Sequence, residues 1–151
     1  MPRALCEILK FILHIQIMSD VIAGVGVLIK KDNKVLLGKR IHKAADNAWC
    51  FPGGHVDFFE HAAEAAIRET YEETGLTVEK LVLATYTDDI YKRTNQHFVT
   101  LVFTAGSFTG QLTLKEPAKF EKWEWFDWSE LPTPLAEPMN QLLIKKFNPF
   151  I

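Results

Sequence analysis

Cysteine is scarce in this chain, with Cys6 and Cys50 its two occurrences. They are too few and too far apart for a disulfide framework, and no CxxC pair suggests structural zinc, so the reduced cytoplasm is the expected compartment. Both are expected to be free thiols, Cys50 as a small buried residue. An excess of one charge is also missing: 17 basic against 19 acidic residues leave a net charge of −2. Without a basic block or an aromatic-basic alternation, a nucleic-acid polymer is disfavoured as partner, although a single nucleotide is not. Long apolar runs are lacking too. The stretch MPRALCEILKFILHIQI is broken by Glu7, Lys10 and His14; it is too short to span a bilayer, and no A-x-A-like cleavage site follows, so neither membrane insertion nor export is expected. Met18-Ser19-Asp20 reads as an alternative start, which makes residues 1–17 an extension ahead of a domain at 18–151; a short docking helix is the competing reading. Internal repeats and low-complexity segments are absent.

What is present fits one domain: 151 residues, 48% of them hydrophobic, suffice for a substantial core. VIAGVGVLIKK and KVLLGKR read as strands joined by Asp32-Asn33. A loop around Ala44 to Asn47 leads to WCFPGG, then to a helix from about Glu60 to Thr74 that Gly75 ends. LTVEKLVLATYTDDIY, HFVTLVFTAGSF and FEKWEWFDW alternate as strands. AEPMNQLLIKKF places Met139, Leu142, Leu143 and Phe147 on one helical stripe facing the core. Early strands, a helix, more strands and a terminal helix imply a mixed sheet covered on both faces.

The chemistry concentrates in the middle helix. A helix advances about 100° per residue, so Glu69, Glu72 and Glu73 share one arc. Three carboxylates so close repel one another unless a cation lies between them. Mg²⁺ takes oxygen ligands and is commonly held by one or two carboxylates plus substrate phosphates. An Arg68–Glu72 pair at i,i+4 on a solvated face stabilises a helix by only ~0.2–0.5 kcal/mol. That plainer reading leaves Glu69, Glu73, Gly53-Gly54 and Gly75 unexplained.

These residues carry a family resemblance. The stretch GGHVDFFEHAAEAAIRETYEETGL resembles the Nudix box, G-x5-E-x7-R-E-U-x-E-E-x-G-U, in which U is a bulky aliphatic residue. Gly54, Glu60, Arg68, Glu69, Glu72, Glu73, Gly75 and Leu76 fall in place, and the one departure is Thr70 at the inner U position. That substitution is expected to loosen packing under the helix more than to affect the chemistry. At residue frequencies of ~5–7%, a chance match is below roughly one in a million.

The resemblance implies a Nudix fold, a mixed β-sheet in an α/β/α sandwich over approximately Val21 to Phe147, and metal-dependent hydrolysis of a diphosphate linkage. It implies Glu69 and Glu73 as leading metal ligands, Glu72 completing the cluster directly or through water, Glu60 at its edge, and a backbone carbonyl of Gly53 or Gly54. Mg²⁺ is the expected ion, and Mn²⁺ suits the same oxygens. Glu69 is the chosen general base, and Arg68 orients the carboxylates. Outside the box, Lys39 and Arg40 end a strand within reach of substrate phosphate or merely in solvent. His97 faces either the nucleotide pocket or the core. Trp49, Phe51, Trp123 and Trp125 offer base stacking, with core packing the plainer alternative. VLLGKR, FPGGHVDFFE and FEKWEWFDWSELP resemble the MutT-like branch, which converts nucleoside triphosphates to monophosphate and pyrophosphate. Nucleotide-sugar or ADP-ribose hydrolysis is the nearest rival, and a non-catalytic nucleotide-sensing module the rival of another class. Monomer and homodimer both stay open.

Overall fold

The structure is a computed structural model that describes residues 4–10, 20–41 and 47–151. Met18, Ser19 and Ala44–Asp46 lie outside the described residues, as does most of the 1–17 segment, of which residues 4–10 form a short helix, α1. Among the described residues seven strands follow: β1 (Val21–Lys31), β2 (Lys34–Arg40), β3 (Trp49–Cys50), β4 (Gly53–His55), β5 (Thr77–Tyr91), β6 (Gln96–Thr109) and β7 (Phe120–Asp127). Two further helices are α2 (Ala62–Thr74) and α3 (Glu137–Ile144).

β1 is the organising strand. Its central run Gly24–Ile29 is buried on both faces, as a strand flanked by neighbours and covered above and below must be. It pairs with β6 in parallel, from Val21↔His97 to Ile29↔Ala105. Its other edge takes β4 antiparallel at Gly24↔His55 and then β2 antiparallel at Lys30↔Val35. The sheet runs β3-β2-β1-β6-β5, with β4 on β1 and β7 on β2. It is therefore mixed, as expected.

Alternation along β1 splits the core in two. Val25, Val27 and Ile29 point to the α2 side and pack with Ala65, Ala66, Leu76 and Phe103. Leu28 points the other way, toward Met139 and Leu142 of α3, with Trp49, Phe51 and Val102. This is the α/β/α sandwich. The aromatic residues Trp49, Phe51 and Trp123 are core, and Trp125 stacks on Phe108 at the edge of the same packing.

Small side chains let α2 lie close to the sheet. Thr70 is fully buried there, and its hydroxyl donates to the Ala66 carbonyl at 2.7 Å, so the departure from an aliphatic residue leaves no polar atom unpaired. Gly75 closes the helix at φ 74°, a left-handed conformation that disfavours side chains. One expectation needs correction. Leu143 is exposed rather than core-facing, because α3 spans only eight residues and turns Met139 and Leu142 inward. WCFPGGH, to which the sequence assigned no element, supplies the two short strands β3 and β4, since its backbone completes the edges left by β1 and β2.

Candidate active site

The site is built where α2 meets β4. Gly53 and Gly54 pair with Gly26 and Val25, so tightly that a Cβ on Gly53 would stand 2.1 Å from the Val25 carbonyl oxygen. A Cβ on Gly54 would stand 2.3 Å from the carboxyl carbon of Glu69. Glycine at both positions is what lets a carboxylate lie directly on main chain. One turn further along α2, Glu73 Oε2 accepts from the Gly53 N–H at 3.1 Å.

Arg68 braces the outer side. Its Nε and Nη2 donate to the two oxygens of Glu60 at 2.8 Å each, and its Nη1 donates to Glu69 at 2.8 Å and Glu72 at 3.3 Å. The last donor goes to the His55 carbonyl at 3.2 Å. All five guanidinium N–H groups are thus committed, across β4, its loop and α2. Partly exposed ion pairs each add only ~0.2–1 kcal/mol, so the network's value lies in fixed geometry rather than stability.

The electrostatics of the two ends differ. The Arg68 hydrogen bonds, with a backbone N–H from Asp57, hold the Glu60 carboxyl down to about 2. Glu73 is 4% exposed, and burial pushes its carboxyl up to about 8, against the Gly53 hydrogen bond and the charge of Arg40, with Glu69 and Glu116 adding to the rise. A buried carboxylate without a cationic partner of its own is costly. Cys50, buried beside the site, is pushed up to about 12 and is no nucleophile at neutral pH.

Both carboxylates open onto a cleft of about 790 Å³. Glu69, Glu73, Gly53, Gly54 and Arg40 line it, whereas Glu60, Arg68, Glu72, Lys39 and His97 do not. Lys39 alternates away from Arg40 and pairs with Glu121 at 2.8 Å. His97 stands between cleft-lining Gln96 and Phe98, so alternation turns it to the opposite face, half-exposed and 3.9 Å from Asp88. It belongs neither to the pocket nor to the core. Sequence reasoning also missed lining residues: Asp89 and Tyr91 on β5, Phe98 and Thr100 on β6, Lys119, and Glu137 on α3. The signal was a polar residue at every second position of TYTDDIY, readable once the inward face is known.

Among the described residues, no three His, Cys, Asp or Glu side chains converge as a closed metal cage. The arrangement is two carboxylates on a glycine backbone, open to a cleft with a cationic Arg40 in its wall. An all-oxygen, incomplete ligand set matches a hard cation that shares its coordination with waters and phosphates. The residues therefore fit a divalent ion of the Mg²⁺ or Mn²⁺ kind.

Fold and site together define an α/β/α domain whose acidic helix lies on a glycine strand at the mouth of a cleft. The chain belongs to the Nudix hydrolase family: the NUDIX domain model matches residues 21–146. Among curated proteins it is 36% identical over 110 residues to an ADP-ribose pyrophosphatase of Methanocaldococcus jannaschii, covering 72% of this chain and 63% of that protein. It is 31% identical over 135 residues to an RNA pyrophosphohydrolase of Acinetobacter baylyi, covering 78% of each. A MutT NUDIX hydrolase from Burkholderia pseudomallei superposes with a TM-score of 0.78 at 33% identity, covering 82% of this chain and 97% of that one. No helix among the described residues is long and apolar enough to cross a membrane.

Proposed function

We propose that this protein hydrolyses a nucleoside diphosphate-linked small molecule with a divalent metal ion, preferentially a nucleoside triphosphate or a modified one, to the monophosphate and pyrophosphate. The observation that carries this reading is the pair Glu69 and Glu73, laid on Gly53-Gly54 at one end of a cleft that also holds Arg40. Glu69 and Glu73 would hold the metal, with a Gly53 or Gly54 carbonyl, and with Glu72 and Glu60 behind them. When bound, such an ion neutralises phosphate oxygens and lowers the pKa of a bound water.

The chain's own residues do the rest. Glu69 accepts the proton of the attacking water, and Arg68 keeps that carboxylate from swinging away. Arg40 and Lys119 put positive charge where an anionic tail lies. The attacking water bonds to one phosphorus as the anhydride oxygen leaves with the other phosphate group. Free Cys6 and Cys50 suit a cytoplasmic protein.

A second reading, ADP-ribose hydrolysis, is favoured by the similarity to a protein of that name. The test is product analysis with Mg²⁺ on a panel of dNTPs, oxidised dNTPs, ADP-ribose, GDP-mannose and a 5′-triphosphorylated RNA oligonucleotide. Pyrophosphate from the mononucleotides as the fastest reaction is the expected result. Faster turnover of ADP-ribose would transfer the assignment to the second reading, and no turnover of any compound would leave a sensing module.

A further inference from the structure

The cleft contains a second polar feature that the acidic helix does not explain. The register sets Gly24 of β1 beside Thr100 of β6, and Thr100 beside Thr87 of β5. Asp89 follows on the same face, opposite Phe98. Thr100 Oγ1 donates to Asp89 Oδ2 at 2.6 Å. The hydroxyl's one proton is thereby committed, so toward the cleft Thr100 can only accept. Asp89 is 1% exposed, and its second oxygen, Oδ1, has no hydrogen-bond partner among the described residues. Burial raises the Asp89 carboxyl above its ordinary range, against the hydrogen bond from Thr100 and the neighbouring Thr87 hydroxyl; Thr87 Oγ1, buried as well, meets no partner within hydrogen-bond geometry among the described residues.

Gly24 keeps the space beside Thr100 open. A Cβ there would lie 3.1 Å from Thr100 Oγ1 and 3.5 Å from the Gly54 carbonyl oxygen. The cleft is bordered here by a hydroxyl turned acceptor with the Asp89 carboxyl behind it; the Gly54 carbonyl lies in the β1–β4 ladder opposite Val25. Flat aromatic surface adjoins them. Phe98 stacks with His55 at 5.5 Å and meets Tyr91 edge-on at 5.9 Å.

We propose that Thr100, held by Asp89, recognises an N–H donor on the substrate's base and selects nucleotides whose base carries an exocyclic amino group. Asp89 is the positioning residue and Thr100 the contact. A carbonyl presented to Thr100 would meet a lone pair, whereas an amino N–H can donate to Thr100 Oγ1, whose own proton is held by Asp89. The inference rests on the nucleotide hydrolase reading for its substrate class.

Two substrate pairs test it: dGTP against dITP, which lacks the 2-amino group, and dCTP against dUTP, which has oxygen for the 4-amino group. The natural chain should favour the amino-bearing member of at least one pair by ~10-fold in kcat/KM. Thr100→Val should bring that ratio to about two or less, Thr100→Ser should restore it, and Asp89→Asn should reduce it with the melting temperature shifted by no more than about 3 °C. A ratio near one in the natural chain overturns the proposal, as does an equal loss for both members in Thr100→Val. Tryptophan-fluorescence titration with GMP and IMP separates the two readings. Should no nucleotide turn over while GMP binds more tightly than IMP and Thr100→Val removes the difference, hydrolysis fails and the patch stands; turnover without discrimination does the reverse.

Discussion

Glu60 and Glu73 are the same residue type under opposite conditions. Glu60 takes two hydrogen bonds from Arg68 and is held down to about 2; Glu73 takes one backbone N–H, is buried, and is pushed up to about 8. The first is a finished interaction and the second an unfinished one. Glu60 is fixed by the fold, whereas Glu73, with one backbone N–H and no ion pair among the described residues, is the carboxylate whose charge a bound cation would offset most.

The sharpest way to break this comparison is to neutralise each glutamate in turn. Glu73→Gln should cut kcat by ~10²–10⁴-fold in a pyrophosphate-release assay, because it removes the charge proposed to hold the metal while keeping shape. An unchanged rate would show that the buried carboxylate is not part of the catalytic centre. Arg68→Lys comes next, at ~10–100-fold, since an ammonium cannot span Glu60, Glu69 and Glu72 together. Glu72→Gln should cost less than either, for its side chain is half-exposed and lies outside the cleft.

The pH dependence of metal-free stability gives the smallest effect and the clearest sign. A carboxyl whose folded value lies above its ordinary 4.5 binds more protons in the folded state, so Glu73 destabilises the fold progressively between about pH 4.5 and about 8. Glu60 acts in reverse, its stabilisation growing from about pH 2 to about 4.5 and full above that. Thermal melts in chelator should therefore show the natural chain losing stability toward pH 8 relative to Glu73→Gln. Parallel curves for the two proteins would remove the electrostatic account of Glu73.

Much of this was legible from residue order. The fixed spacing from Gly54 to Leu76 leaves one helix with its acids on a common stripe, and long alternating runs such as HFVTLVFTAGSF specify strands. What stayed hidden was phase and closure. Alternation says that Lys39 and Arg40, or His97 and Phe98, face opposite ways, but not which of them meets the cleft; the pairing of β2 with β7 and of β6 with β1 decides. Asp89 was overlooked because β5 is an edge strand with hydrophobic Tyr86 and Ile90 on its other face, both exposed, so no apolar phase marks its interior. β3 and β4 are two and three residues long, too short for any periodicity, and exist because β1 and β2 offer them edges.

The central claim is that Glu69 and Glu73, on their glycine strand, form a divalent-cation site. Mn²⁺ binding to the natural chain and to Glu73→Gln at pH 8, followed by the loss of the free-ion electron paramagnetic resonance signal, tests it directly. The account predicts saturable binding in the natural chain, displaced by Mg²⁺ and weakened by ~10-fold or more in the variant. Equal Mn²⁺ affinity in both proteins would contradict it.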